Sequence, residues 1–243
     1  MNFIYILSED DNDDAFYKGC IEKMTGKSYD LISRRLRRGG GVSQVRKYMP
    51  ILLRDIRYTG HVDNTFFVIA LDNDRSPAHP NHEKPPRFLK LPKKEQGKTC
   101  RFCEIERIAV NILDIRENWP IRGAIAVPVQ MMESWLLLIC DGVQYQNEAK
   151  LPIFAKKRSS SAQLYYGPRK PGDQLKDLCK IKKKQLNIKS DRDFCAYCAE
   201  NLIPKDLQKI SDSFALFKEQ VDEWEPMKSA DLKLSDLLTF SAL

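Results

Sequence analysis

Acidic residues stand where three strands are expected to end. Glu9 follows the apolar run Phe3 to Leu7, Asp72 and Asp74 follow Thr65 to Leu71, and Glu133 follows Gly123 to Val129. Asp72 and Asp74 are two apart, so in an extended segment both side chains leave the same face and can share one cation. Their hard oxygens suit Mg²⁺ or Mn²⁺, which keep several waters and bind substrate phosphates. A metal held there would neutralise phosphoryl charge and activate water. Each acid also has a plainer reading. An acidic pair after a strand is often a turn, Glu9 can cap a helix, and Glu133 can be a surface acid on a mostly buried helix. What favours chemistry is that all lie at the same end of one expected sheet, where open parallel sheets collect their ligands.

The elements that would position these acids can be read from spacing. Phe3 to Leu7 is rich in strand formers, and Ala15, Phe16, Cys20, Ile21 and Met24 then recur at helical spacing as far as Gly26. A second strand is predicted at Tyr29 to Ser33 and a helix at Val42 to Tyr58. Thr65 to Leu71 is apolar throughout, which implies burial on both faces of a parallel sheet. From Arg75 to about Lys98 the chain is polar and Pro-rich, the mark of a long loop or insertion. A helix over Glu104 to Ile115, the strand Gly123 to Val129 and an apolar helix beginning at Met131 follow. Beyond Gly142 the patterns are helical, at Gln174 to Leu186, Asp193 to Leu202, Lys205 to Trp224 and Ser229 to Leu238. The reading is an α/β fold with a parallel sheet covered by helices on both faces over residues 1–142, carrying an insertion at about 75–103. A mostly helical region fills 143–243.

With these elements in place, the chain resembles the TOPRIM superfamily, the metal-binding domain of topoisomerases, bacterial primases and overcoming-lysogenization-defect nucleases. Ile6-Leu7-Ser8-Glu9 matches the strand-and-glutamate half of that pattern, and Ile69-Ala70-Leu71-Asp72-Asn73-Asp74 matches the strand ending in D-x-D. Asp13 matches an acidic position in the first helical turn. Glu133-Ser134-Trp135-Leu136-Leu137 looks like the Glu-x-Trp-Leu element of a small TOPRIM-like branch found in prokaryotic defence modules, often beside an ATPase gene. The likeness covers roughly residues 1–142 and departs in two places. Asp10 replaces a glycine common after the glutamate, and the stretch after Asp74 is longer than a minimal TOPRIM fold needs. The resemblance implies Mg²⁺ ligation by Asp72 and Asp74, with Glu133 as a further ligand or orienter. Glu9 is implied as a ligand or as the general acid/base. A cation near the scissile phosphate would complete the site. Arg169 and Lys170 are the candidates, with Lys176 behind them, although an ordinary solvated basic loop explains them equally.

The cysteines form a second constellation. Cys100 and Cys103, with Cys195 and Cys198, make two C-x-x-C pairs whose four thiolates could close a tetrahedral Zn²⁺ site. The pairs are far apart in sequence, and a mixed site using His79 or His82 is the alternative. Cys195 and Cys198 are also three apart on an expected helix, the spacing of small apolar residues on its inner face. Two such pairs occur in HNH nucleases as well, but none of the three histidines lies in the Asp-His context those need. Redox chemistry is disfavoured, because neither pair follows a thioredoxin-like strand.

The 243 residues carry 40 Lys+Arg against 33 Asp+Glu, a net charge of +7 that suits a polyanionic partner. Arg34, Arg35, Arg37, Arg38, Lys180 and Lys182 to Lys184 can contact phosphates, or simply form solvated faces. An ordinary globular composition excludes whole-chain disorder. The longest apolar stretch, about Met131 to Cys140, is too short to span a bilayer. The N-terminal run lacks the features of a secretory signal, so a cytoplasmic location is expected. Gly39-Gly40-Gly41 lacks the Lys-Ser/Thr of a phosphate loop, so an ATPase would be a separate partner. The expectation is a Mg²⁺-dependent nuclease acting on DNA or RNA, a hydrolase in an anti-phage or mobile-element system. A regulatory subunit with a degenerate site, binding nucleic acid or an ATPase without cutting, is the alternative, and a nucleotidyltransferase on the same sheet is a third.

Overall fold

A computed structural model describes residues 2–32, 41–58, 64–73, 79, 100–113, 122–128, 132–145 and 171–224. Four strands form one all-parallel sheet: β1 (Asn2–Leu7), β2 (Tyr29–Ile32), β3 (Thr65–Ala70) and β4 (Arg122–Ala126), in the order β2-β1-β3-β4. This is the expected α/β fold. The helices of the first half are α1 (Asp11–Thr25), α2 (Val42–Tyr58), α3 (Arg101–Leu113) and α4 (Glu133–Tyr145). Those of the second half are α5 (Pro171–Gln185), α6 (Asp191–Glu200), α7 (Pro204–Ile210) and α8 (Asp212–Asp222).

Alternating side chains split the sheet between two cores, as the two-residue period of a strand requires. Ile4, Ile6, Phe66, Val68, Ala70, Ala124 and Ala126 face α1, α4 and the C-terminal helices. Tyr5, Leu7, Phe67, Ile69, Leu71 and Ile125 face α2 and α3. Every residue of β3 is buried, so the strand can be apolar throughout. The chain goes out from β1 to β2 through α1 and returns across β1 to β3 through α2. It therefore reverses direction between β1 and β3, which opens a crevice at their carboxyl ends.

The helical region after Gly142 is continuous with this core. Phe194, Cys195, Cys198, Leu202, Phe214 and Phe217 share one apolar cluster with β1, β3 and β4. Gly19 on α1 lets α6 approach closely, since a Cβ there would lie 2.6 Å from Cβ of Ala199. At the sheet edge, the Gln220 side chain completes β4. Its Oε1 accepts the Ile125 N–H (2.9 Å) and its Nε2 donates to the Ile125 carbonyl (3.2 Å), blunting an edge that would otherwise invite pairing. The run expected as one helix over Lys205 to Trp224 is two. Ser211 is extended (φ −136°, ψ 105°), ends α7 by donating its N–H to the Leu207 carbonyl, and caps α8 with its hydroxyl at the Phe214 N–H. The helix expected at Ser229 to Leu238 lies outside the described residues. Among those residues, no helix is long and apolar enough to cross a membrane.

The α1–α6 contact makes a direct prediction. Gly19→Ala should cost about 1–3 kcal/mol by overpacking, and adding Ala199→Gly should recover part of that loss. Urea denaturation of the two variants measures it, and a Gly19→Ala protein as stable as the wild type would contradict the tight packing.

Candidate active site

The carboxyl end of β3 does not stop at Ala70. The Leu71 N–H donates to the Ala126 carbonyl (3.0 Å) and the Asn73 N–H to the Pro128 carbonyl (3.2 Å), so the chain stays extended along the β4 side. The N–H of Asp72, between them, points the other way and donates to Oε1 of Glu9 (3.3 Å). A glutamate carboxylate thus continues the hydrogen-bonding ladder that β1 no longer supplies. Beside it, Gly41 adopts φ +101°, in the region that favours glycine, and a Cβ there would come 3.8 Å from Oε2 of Glu9.

Three further contacts lock this turn. Oδ1 of Asp72 accepts the Met132 N–H (3.0 Å), just before α4. The buried Arg101 guanidinium, at the start of α3, donates to the Asp72 carbonyl. Glu133 is placed by its neighbour Trp135, which is wholly buried, packs edge-on against Phe214 with centroids 5.2 Å apart and donates its Nε1–H to Ser213 (2.9 Å). The Trp of the Glu-x-Trp-Leu element is therefore the anchor that aims the Glu. Asp13 arrives on the first turn of α1, where Asp10 caps the helix by accepting from the Asn12 and Asp13 N–H groups.

Glu9, Asp13, Asp72 and Glu133 are half-buried and feel one another's charge. Burial, then Glu9, Glu133 and Asp13, pushes the Asp72 carboxyl well above the usual carboxylate range, against the pull of the Met132 N–H. Burial, then Asp10, Glu133 and Glu9, pushes Asp13 up to about 8. Burial also raises Glu133, with its own backbone N–H and the charge of Lys176 opposing. Such a group is costly to ionise without a cation. Among the described residues, no three of these acids bring carboxylate oxygens within 4.8 Å of one another.

A cavity of about 210 Å³ adjoins the acids, lined by Asp13, Glu133, Lys176, Lys180, Lys183 and Asp191 among others. The three lysines recur at i, i+4 and i+7 along α5, so one helical stripe brings them to the same opening. Lys183 is paired with Asp191, and Lys180 with Asp177 (3.4 Å). Of these, Lys176 is the cation expected behind Arg169 and Lys170, Lys180 and Lys183 belong to an expected basic cluster, and Arg101 stands in sequence only between two cysteines. Asp74, Arg169, Lys170, His82 and the four arginines after β2 lie outside the described residues.

The four-cysteine arrangement is not formed. Cys195 and Cys198 are buried (2% and 0% exposed) in the core on the α1 face of the sheet, whereas Cys100 lies in the core on the α3 face. The sheet itself separates the pairs. Cys195 and Cys198 behave as small apolar residues on the inner side of α6. Cys100 and Cys103 instead meet His79, and the three ligand atoms lie within 4.8 Å of one another, spaced to hold a metal ion. Burial, then the Cys100 sulfur, pushes the Cys103 thiol up to about 11.

No family model, curated protein or solved structure matches the chain.

The raised acids give a signed pH dependence. Asp13 keeps its proton to about 8 when folded and releases it near 3.8 when unfolded. The stability linked to that proton is complete below about pH 4 and is lost as pH rises through about 8. Metal-stripped protein should therefore lose thermal stability between about pH 5 and pH 8. Asp13→Asn should flatten that slope by roughly 1–3 kcal/mol, at about 2–4 °C per kcal/mol. Calorimetric scans across this range measure it, and equal slopes in the two proteins would contradict the assignment.

Proposed function

We propose that the chain is a metal-dependent phosphodiesterase that cleaves nucleic acid at the carboxyl end of its sheet, with Mg²⁺ or Mn²⁺ as cofactor. The observation that carries this reading is the convergence of Glu9, Asp72 and Glu133 from three separate chain segments onto the crevice between β1 and β3. The donor set fits a hard divalent cation. It consists of carboxylate oxygens, crowded so that they resist ionising together, and a bound 2+ charge removes that penalty. The chemistry the cation supplies there is neutralisation of phosphoryl charge and activation of water.

In this reading Asp72 is the central ligand, and Asp74, two residues on, is its partner. Glu133 completes or orients the set. Glu9 either ligates or moves a proton at the attacking or leaving oxygen. Lys176, beside Glu133, and Lys180 present ammonium groups where a phosphate would rest in the adjoining cavity. Together with the net charge of +7, they suit a polyanionic substrate. A role in anti-phage or mobile-element defence and an ATPase partner belong to the same reading through the resemblance to TOPRIM-like nucleases.

A second reading is a binding subunit whose acidic site does no chemistry. What favours it is the spacing of the acids, no three of which share ligand distance among the described residues. One assay separates the two. Single-stranded DNA, duplex DNA and mixed tRNA are incubated with the protein and Mg²⁺ or Mn²⁺. Cleavage that falls about 10²–10⁴-fold in Asp72→Asn and in Glu9→Gln is expected. Lys176→Ala should weaken substrate binding and reduce its salt dependence. Nucleic-acid binding without metal-dependent cleavage by the wild type would overturn the phosphodiesterase reading in favour of the binding subunit.

A further inference from the structure

We propose that His79, Cys100 and Cys103 supply three ligands of a zinc site that fixes the start of α3 and, through Arg101, the turn carrying Asp72. Nδ1 of His79 lies 3.5 Å from the Cys103 sulfur and 3.9 Å from that of Cys100. A tetrahedral zinc with Zn–S of about 2.3 Å and Zn–N of about 2.0 Å has S···N edges of about 3.5 Å, so little movement brings the three atoms onto one ion. The imidazole is aimed by its ring contact with Phe102, at a centroid distance of 4.2 Å and an interplanar angle of 31°. The Cys100 carbonyl accepts the Glu104 N–H as the helix begins, and Cys103 sits in the first turn of α3. Two thiolates and an imidazole are soft and borderline donors, which select zinc over the magnesium suited to the acids.

The location gives the ion a task. Arg101 lies between the two cysteines in sequence, and its guanidinium holds the Asp72 carbonyl. Pinning Cys100 and Cys103 to His79 holds Arg101 on that carbonyl. The zinc would therefore act at a distance on the acids without touching them. The zinc site stands independently of the phosphodiesterase reading, whereas its link to the acids shares the assignment of Asp72.

The test uses the full chain expressed in zinc-supplemented medium. Elemental analysis should find one zinc per chain, and Co²⁺ exchanged into the wild type should give the thiolate charge-transfer bands and intense visible bands of tetrahedral coordination. His79→Ala, Cys100→Ser and Cys103→Ser should each bring the zinc content close to none, while the Cys195→Ser/Cys198→Ser variant should retain the full equivalent. A metal-free wild type with no tetrahedral cobalt spectrum, or a Cys100–Cys103 disulfide in its place, would overturn the site without recourse to variants that fail to fold. Mn²⁺ titration of zinc-loaded and zinc-stripped protein reads the link, with weaker Mn²⁺ binding expected after stripping. Equal affinity in the two, with zinc content confirmed, would overturn the link and leave the zinc site standing.

Discussion

Asp72 ties together the carboxyl ends of β1 and β3 with the starts of α3 and α4. Its N–H is held by Glu9 after β1, its carboxylate accepts from Met132 before α4, and its carbonyl is held by Arg101 at the start of α3. One residue therefore joins three segments that are remote in sequence. Its carboxyl does so while crowded by Glu9, Glu133 and Asp13, which burial prevents from being screened. Burial and mutual repulsion together raise these carboxyls, and perturbed groups of this kind cluster at functional sites.

The second half of the chain adds to that support. Trp135 anchors the helix that carries Glu133 by packing on Phe214 and Phe217 and by donating to Ser213, all on α8. The lysine stripe of α5 forms part of the wall of the cavity beside the acids. The C-terminal helices thus belong to the same core as the sheet and contribute to the same site.

What could be read from sequence follows the reach of local pattern. β3 announces itself because two-sided burial leaves an uninterrupted apolar run, the other strands are shorter or more mixed runs, and Glu9, Asp72 and Glu133 are found by standing after such runs or beside the next helix. The break at Ser211 was illegible because hydrophobic spacing continues through it, and only the hydroxyl cap reveals a second helix. The pairing of cysteines failed for a different reason. Two C-x-x-C pairs look alike in sequence, yet the sheet separates them, and which side each pair occupies depends on the packing of α3 and α6. Arg101 was equally out of reach, since its partner is a backbone carbonyl that sequence does not distinguish.

The claim on which the rest turns is that these carboxylates hold a divalent cation. A crystal soaked in Mn²⁺ and recorded for anomalous scattering tests it without any assumption about substrate. The account predicts an anomalous peak within coordination distance of the Asp72 and Glu9 carboxylates. Full Mn²⁺ soaking with no peak in the crevice between β1 and β3 would contradict it, and would leave the acids as a structural cluster that stays partly protonated.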